Sequence, residues 1–257
     1  MPSPTSIGLF RGESALVTGS AANMGRAIAW ALAQEGASVR LIDIDAERNA
    51  SLAAEIQAAG GSAEAVTADL SSTEGWRAAL PGLTPAMFVH SASPARKEAD
   101  GALAVSEATF DAMLNTNVRS GFLLARELGR RMQAGGIKGR MLFITSLHAE
   151  TPRNIPHYSA AKAGQTMLVK ELARALGPAG IRVNALAPGA VPGGGFNAAA
   201  FDFSDKVPLG RLGRAEDMAA MALALLSDRF SGYVTGTTVA VDGGIGLYNW
   251  IPLPRPE

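Results

Sequence analysis

Tyr158 and Lys162 stand four residues apart in His157-Tyr158-Ser159-Ala160-Ala161-Lys162-Ala163-Gly164. The stretch continues to Leu176 with apolar residues at Ala160, Met167, Leu168, Leu172 and Leu176, a pattern that predicts a helix. On a helix that spacing projects both side chains from one face. A free tyrosine titrates near ~10, too high to exchange protons freely at neutral pH. An ammonium a few ångströms away favours the phenolate and draws that value toward the working range. A tyrosine tuned in this way gives a proton to a carbonyl oxygen or takes one from an alcohol. The pair also occurs on ordinary helices, as a surface lysine beside a half-buried tyrosine, so the rest of the chain has to decide its meaning.

A second chemistry-bearing stretch is Thr18-Gly19-Ser20-Ala21-Ala22-Asn23-Met24-Gly25. It lies between a predicted strand, Ser14–Thr18, and a predicted helix. Backbone N–H groups and the helix dipole at such a turn favour a pyrophosphate. Gly19 would make the tight turn, and Gly25 would let the helix pack closely. Asn23 stands where a glycine is expected, and asparagine is the side chain that best tolerates left-handed backbone angles. Asp43 ends the next predicted strand, 24 residues after Gly19. A carboxylate there accepts hydrogen bonds from ribose hydroxyls and repels a 2′-phosphate, which favours NAD over NADP. Arg40 and Arg48 are the nearest cations, at positions expected to face elsewhere.

Positioning these groups requires a particular run of elements. Strands are predicted at 14–18, 38–43, 63–68, 86–90, 140–145, 181–186 and 237–241. Helices are predicted at 24–35, 46–59, 76–80, 107–132, 157–176 and 215–226. Regular alternation with short connections implies an α/β fold: a single Rossmann-type, doubly wound parallel sheet with helices on both faces. Residues 1–257 read as one dinucleotide-binding catalytic domain, with 245–257 as an aromatic, proline-rich tail.

Composition narrows the function classes. Hydrophobic residues make up 47% of the 257, enough for a substantial core. Lys plus Arg and Asp plus Glu each number 23, so nothing electrostatic argues for nucleic acid or an anionic membrane. Cysteine is absent, which removes thiolate metal sites and a cysteine nucleophile. No histidine pair stands at ligand spacing with carboxylates, so no metal is assigned. No signal peptide is evident and the longest apolar run is too short to span a bilayer, so a cytoplasmic protein is expected.

Thr18-Gly-x-x-x-Asn-x-Gly25, Asp43, Asp69, Asn117, Ser146, Tyr158-x-x-x-Lys162 and Pro188-Gly189 follow the order of motifs in the short-chain dehydrogenase/reductase family. The resemblance covers residues 8 to 244. It implies an oxidoreductase moving a hydride between a nicotinamide and a carbonyl or alcohol carbon. By resemblance, Tyr158 is the general acid/base, and Lys162 tunes it and binds the nicotinamide ribose. Ser146 polarises the substrate oxygen, and Asn117 holds a water in a proton relay behind Lys162. The implied cofactor contacts are Gly19, Asn23, Met24, Gly25, Asp43, Asp69, Leu70, Ser91, Ala92, Tyr158, Lys162, Pro188, Gly189 and Val191.

Three features depart from the family pattern. His90-Ser91-Ala92-Ser93 replaces Asn-Asn-Ala-Gly after the fourth strand. The Ser146–Tyr158 interval is 12, one short of the commoner spacing, which Thr145 would restore. Pro192-Gly193-Gly194-Gly195 follows Pro188-Gly189 where a threonine is common, and suggests a mobile substrate loop.

On the substrate side, His148, Asn154 and His157 are candidates, with Glu150 nearby. They would suit a sugar, a polyol or another hydroxylated small molecule. His157 could equally be a helix-start residue facing solvent. Phe196, Phe201 and Phe203 form an apolar lid or pack the loop, and Arg96-Lys97 reads as a solvated charge pair. The expected substrate is a small-molecule alcohol or carbonyl compound. Two long helices imply a homodimer or homotetramer, as in the family. The rival readings are an NADPH-dependent 3-oxoacyl thioester reductase, which Asp43 opposes, and a non-catalytic dinucleotide-sensing protein, which would not need Tyr158 with Lys162.

Overall fold

Seven short runs rich in Val, Leu, Ile and Phe form the strands of one sheet in the computed structural model, which describes residues 6–80, 82, 84–95, 101–193, 203 and 206–247. The strands are β1 (Ser14–Thr18), β2 (Ser38–Asp43), β3 (Ser62–Thr67), β4 (Met87–His90), β5 (Arg140–Ile144), β6 (Arg182–Pro188) and β7 (Thr238–Val241). Every pairing is parallel and the order is β3-β2-β1-β4-β5-β6-β7. The order reverses between β1 and β4, so the crevice at the carboxyl ends of those two strands is where such a sheet admits a ligand.

The helices are α1 (Asn23–Gln34), α2 (Ala46–Ala58), α3 (Thr73–Ala78), α4 (Glu107–Leu114), α5 (Ser120–Ala134), α6 (Pro156–Leu176), α7 (Ala215–Leu226) and α8 (Asp228–Ser231). Alternate strand residues enter two cores, as the two-residue period of a strand requires. Val17, Leu41, Val89, Leu142 and Ile144 pack with Ile28 and Leu32 of α1, Leu52 and Ile56 of α2, and Met218 and Ala222 of α7. Leu16, Ile42, Phe88, Met141 and Phe143 pack with Leu124, Leu128 and Met132 of α5 and Val169 and Leu172 of α6. The predicted Rossmann-type arrangement with helices on both faces is the one observed.

Two local expectations are corrected. The helix predicted as continuous over 107–132 is broken by a π-turn at Asn115–Arg119. The cause is competition for carbonyls: Thr116 O accepts from Ser120 Oγ at 2.6 Å and from the His90 ring, and Asn117 O accepts from Gln165 and His90. Carbonyls drawn to side chains leave the regular i→i−4 ladder, and a wider turn results.

The buried stripe of α6 is also not the apolar one. Met167 is 55% exposed, whereas Tyr158, Ala161, Lys162, Gln165, Val169 and Leu172 are all buried. The stripe keeps helical spacing, but its first two turns are polar because they face the crevice rather than the core. Among the described residues no helix is long and apolar enough to cross a membrane.

Candidate active site

A cavity of about 500 Å³ opens at the carboxyl ends of β1, β4, β5 and β6, within the usual range for a small-molecule site. Its floor is the turn after β1. Gly19 has φ 69° and Asn23 φ 49°, so asparagine does take the left-handed angle the turn needs. Ala22 is extended and offers no side-chain cap to α1, and the first turn of α1 carries no acidic residue. The N-terminal end of α1, at Asn23, Met24 and Gly25, therefore reaches the cavity wall without a side-chain cap. An uncapped helix N-terminus with a glycine turn suits a pyrophosphate, so the residues present fit a dinucleotide.

Asp43 stands at the other end of this floor. Its Oδ2 accepts from the Ala21 N–H at 2.9 Å and its Oδ1 from the Asp45 N–H at 3.0 Å. The carboxylate is thus fixed in direction while each oxygen keeps a second lone pair. Ser20 Oγ donates to Asn49 Oδ1 at 2.7 Å, and Asn49 Nδ2 donates to Leu41 O, which ties the turn to α2 and β2. Arg40 faces elsewhere, paired with Glu64. Arg48 does not: it lines the cavity beside Asp43 and Asp45, contrary to the sequence expectation, because α2 starts with its first turn over the carboxyl end of β2.

Above the floor lie Ser146, His148, Tyr158 and Lys162, with Pro188, Gly189 and Val191 across from them. Ser146 Oγ accepts from the His148 N–H at 3.2 Å, so its own proton remains for a partner in the cavity. Thr145, at the commoner interval from Tyr158, donates its hydroxyl to Leu186 O at 3.1 Å and is committed to β6. Tyr158 is 7% exposed, and the Lys162 Nζ sits 5.6 Å from its ring centroid. Lys162 Nζ donates to Ile144 O at 2.8 Å and to Gln165 Oε1 at 3.0 Å. The His148 ring stands edge-on to Tyr158 at 6.4 Å, and its Nδ1 lies 3.0 Å from Thr151 O.

Other predicted residues stand outside the lining. Asp69 is exposed and accepts from the Ser71 N–H and hydroxyl, and Leu70 is buried in the α5–α6 core. Ala92 packs under Gly19, behind Ser91, which does line the cavity. Asn117 is buried one layer back, its Nδ2 donating to Ser93 Oγ and Met113 O. Asn154 bonds the Ala102 N–H through Oδ1 and leaves the cavity, because its φ of 60° turns the chain there. His157 neither lines the cavity nor faces solvent: it is wholly buried. Phe203 and Ile245 do line the cavity. Phe196, Phe201, Arg96, Lys97, Gly194, Gly195 and the tail from residue 248 lie outside the described residues.

Sequence reasoning missed Gln165, Arg153 and the part played by His90. Gln165 is recoverable in hindsight as the residue one turn beyond Lys162 on the same face. His90 closes a buried junction. Its Nε2 faces the carbonyls of Thr116 and Asn117 at 3.2 and 3.1 Å, so Nε2 carries the proton and Nδ1 accepts from Thr18 Oγ1 at 3.0 Å. Burial, and after it the charge of Lys162, hold His90 down to about 3.

A group whose folded value lies below its unfolded one stabilises the fold above the unfolded value, and that share is lost as pH falls. The melting temperature is therefore expected to drop as pH goes from 6.5 toward 3, and His90→Asn should flatten part of that slope. Thermal unfolding of both proteins across this range checks it. Equal slopes would refute it.

The sheet order, the uncapped helix at the switch point and the Ser-Tyr-Lys cluster above it define a Rossmann-type oxidoreductase. The family model described as enoyl-(acyl carrier protein) reductase matches residues 19–246. Glucose 1-dehydrogenase 2 of Bacillus subtilis is 33% identical over 250 residues, covering 92% of this chain and 96% of its own. Two solved structures superpose with TM-score 0.84 at 29% identity. One is a 3-oxoacyl-[acyl-carrier protein] reductase from Brucella melitensis with bound NAD, covering 92% of both chains. The other is a gluconate 5-dehydrogenase from Burkholderia cenocepacia in complex with NADP and tartrate, covering 93% of this chain and 97% of its own. The chain belongs to the short-chain dehydrogenase/reductase family.

Proposed function

We infer that the protein is an NAD(H)-dependent oxidoreductase that interconverts a secondary alcohol and a ketone on a hydroxylated small molecule such as a sugar or polyol. The observation that carries this reading is one cavity lined by the Gly19–Gly25 turn, Asp43, Ser146, Tyr158 and Lys162 together. The turn and the α1 N-terminus would hold the pyrophosphate, and Asp43 the adenosine ribose. Pro188, Gly189 and Val191 would pack the nicotinamide. When bound, the nicotinamide supplies the hydride acceptor or donor. In the oxidative direction Ser146 donates to the substrate oxygen, Tyr158 as phenolate removes the hydroxyl proton, and the Lys162 ammonium favours that phenolate. Positioning of the reacting carbon by these groups supplies much of the rate.

The sugar-like substrate is supported by the polar groups Ser93, Ser146, His148 and Arg153 in the lining. Phe203, Pro94 and Ile245 favour a second reading, an acyl thioester reductase, and Arg48 beside Asp43 offers that reading a cation for a 2′-phosphate. A homodimer or homotetramer through α5 and α6 would cover Met167.

The test is reduced-nicotinamide absorbance across sugars, polyols, sugar acids and 3-oxoacyl thioesters, with each cofactor. NAD is expected to give the higher kcat/KM. Asp43→Ser should lower that preference by about tenfold or more, the worth of hydrogen bonds to a charged acceptor. A wild-type preference for NADP would overturn the Asp43 reading. Turnover of thioesters alone would select the second one.

A further inference from the structure

Behind Lys162, Gln165 lies between the ammonium and the π-turn residue Asn117. Gln165 is wholly buried, and its amide spans the gap between two groups. Its Oε1 accepts from Lys162 Nζ at 3.0 Å and its Nε2 donates to Asn117 O at 3.0 Å. The second lone pair of that same carbonyl faces His90 Nε2 at 3.1 Å. A carbonyl oxygen has two acceptor sites, so both sites of Asn117 O are engaged by protein donors. From His90 the chain of bonds continues to Thr18 Oγ1, which also accepts from the Ser91 and Ala92 N–H groups at the edge of the cofactor turn. Lys162, the π-turn and the first βα turn are thereby joined through one buried network.

We propose that Gln165 is a positioning residue that holds the Lys162 ammonium in place beneath Tyr158. This rests on the reading of Tyr158 and Lys162 given above. In alcohol oxidation the hydroxyl proton passes to the Tyr158 phenolate as hydride leaves the carbon. The gain is electrostatic: a cation whose direction is set by Ile144 O and Gln165 Oε1 needs no reorganisation when the phenolate forms. A buried glutamine with both ends bonded is also an orienting strut of the kind that holds first-rank groups in place.

The test reads Tyr158 directly. The chain has three tyrosines, and the difference between wild type and Tyr158→Phe isolates the phenolate absorbance of one. The other groups that bear on it are Lys162 on its own helix, His148 from the turn after β5, Arg153 in the cavity wall and His90 behind Lys162. Two replacements are compared. Gln165→Met keeps volume and removes both bonds; Gln165→Glu keeps an acceptor and adds a charge that offsets Lys162. The phenolate midpoint is expected to rise by about one unit in Gln165→Met and by at least as much in Gln165→Glu. NADH affinity, read by fluorescence, should weaken by about tenfold in Gln165→Met, because Lys162 loses its anchor.

If both variants melt earlier yet keep the wild-type midpoint and NADH affinity, Gln165 is only a packed core residue and the proposal fails. If wild-type Tyr158 itself titrates like a free tyrosine, the catalytic reading fails instead. The Gln165 assignment would then stand or fall on the NADH affinity alone.

Discussion

Tyr158→Phe is expected to lower turnover by roughly a thousandfold, within the ~10²–10⁴ range that a positioned acid/base supplies, while leaving NADH binding within about threefold. The expectation rests on what the substitution spares. Tyr158 is 7% exposed, and its ring packs with Met113, Ile155 and Ala161, contacts a phenylalanine ring retains. Only the hydroxyl is lost, and with it the proton acceptor of the oxidative step and the donor of the reductive one. The turn at Gly19–Gly25, which would carry the pyrophosphate, is untouched. Steady-state rates on whichever substrate the panel reveals, together with NADH fluorescence titration, measure both arms. A variant that kept turnover would remove Tyr158 from the chemistry. A variant that lost NADH binding as well would mean that the hydroxyl serves the fold or the cofactor. A dinucleotide sensor would keep its function unchanged.

Gly25→Ala has the second large expected effect, on binding and folding rather than on the chemical step. A Cβ built at Gly25 would lie 2.0 Å from the Gly19 carbonyl oxygen, a backbone atom. No flexible side chain can give way, so α1 must move off the turn or the turn must open. Overpacking of this kind costs roughly 1–3 kcal/mol, and the displaced α1 N–H groups no longer converge on a pyrophosphate. NADH affinity is expected to fall at least about a hundredfold, and the melting temperature to drop. Gly164 is the control: a Cβ there meets nothing closer than 3.4 Å, so Gly164→Ala should be tolerated. Unchanged NADH affinity in Gly25→Ala would show that the cofactor lies elsewhere.

Both effects concern positions that were legible from residue type and spacing, and this reflects the physics of local signals. Period-two and helical patterns gave the parallel sheet and its helices. A glycine turn between a strand and a helix marked the place proposed for the pyrophosphate, since only backbone geometry and the helix dipole are needed there. Tyr158 and Lys162 share a face because four residues make about one turn. The same local logic explains Asn23, whose left-handed angle is a property of the turn itself.

What the sequence alone could not provide are contacts between segments far apart in the chain. Spacing pointed to Thr145 and strand register to Ser146, and the contact that commits the Thr145 hydroxyl is made by Leu186 on the neighbouring strand. His157 read as an active-site or solvent residue and is wholly buried outside the cavity lining. Arg48 reaches the cavity only because α2 begins above the end of β2. The π-turn at Asn115–Arg119 exists because His90 on β4 and Gln165 on α6 draw off its carbonyls, and no helix propensity encodes that. The sequence determined the sheet, the glycine turn after β1 and the Tyr158–Lys162 pair, which depend on neighbours within one turn or one strand. Tertiary packing alone decided what the Thr145 hydroxyl bonds, which cations border the cavity and what stands behind Lys162, because each depends on how distant segments pack together.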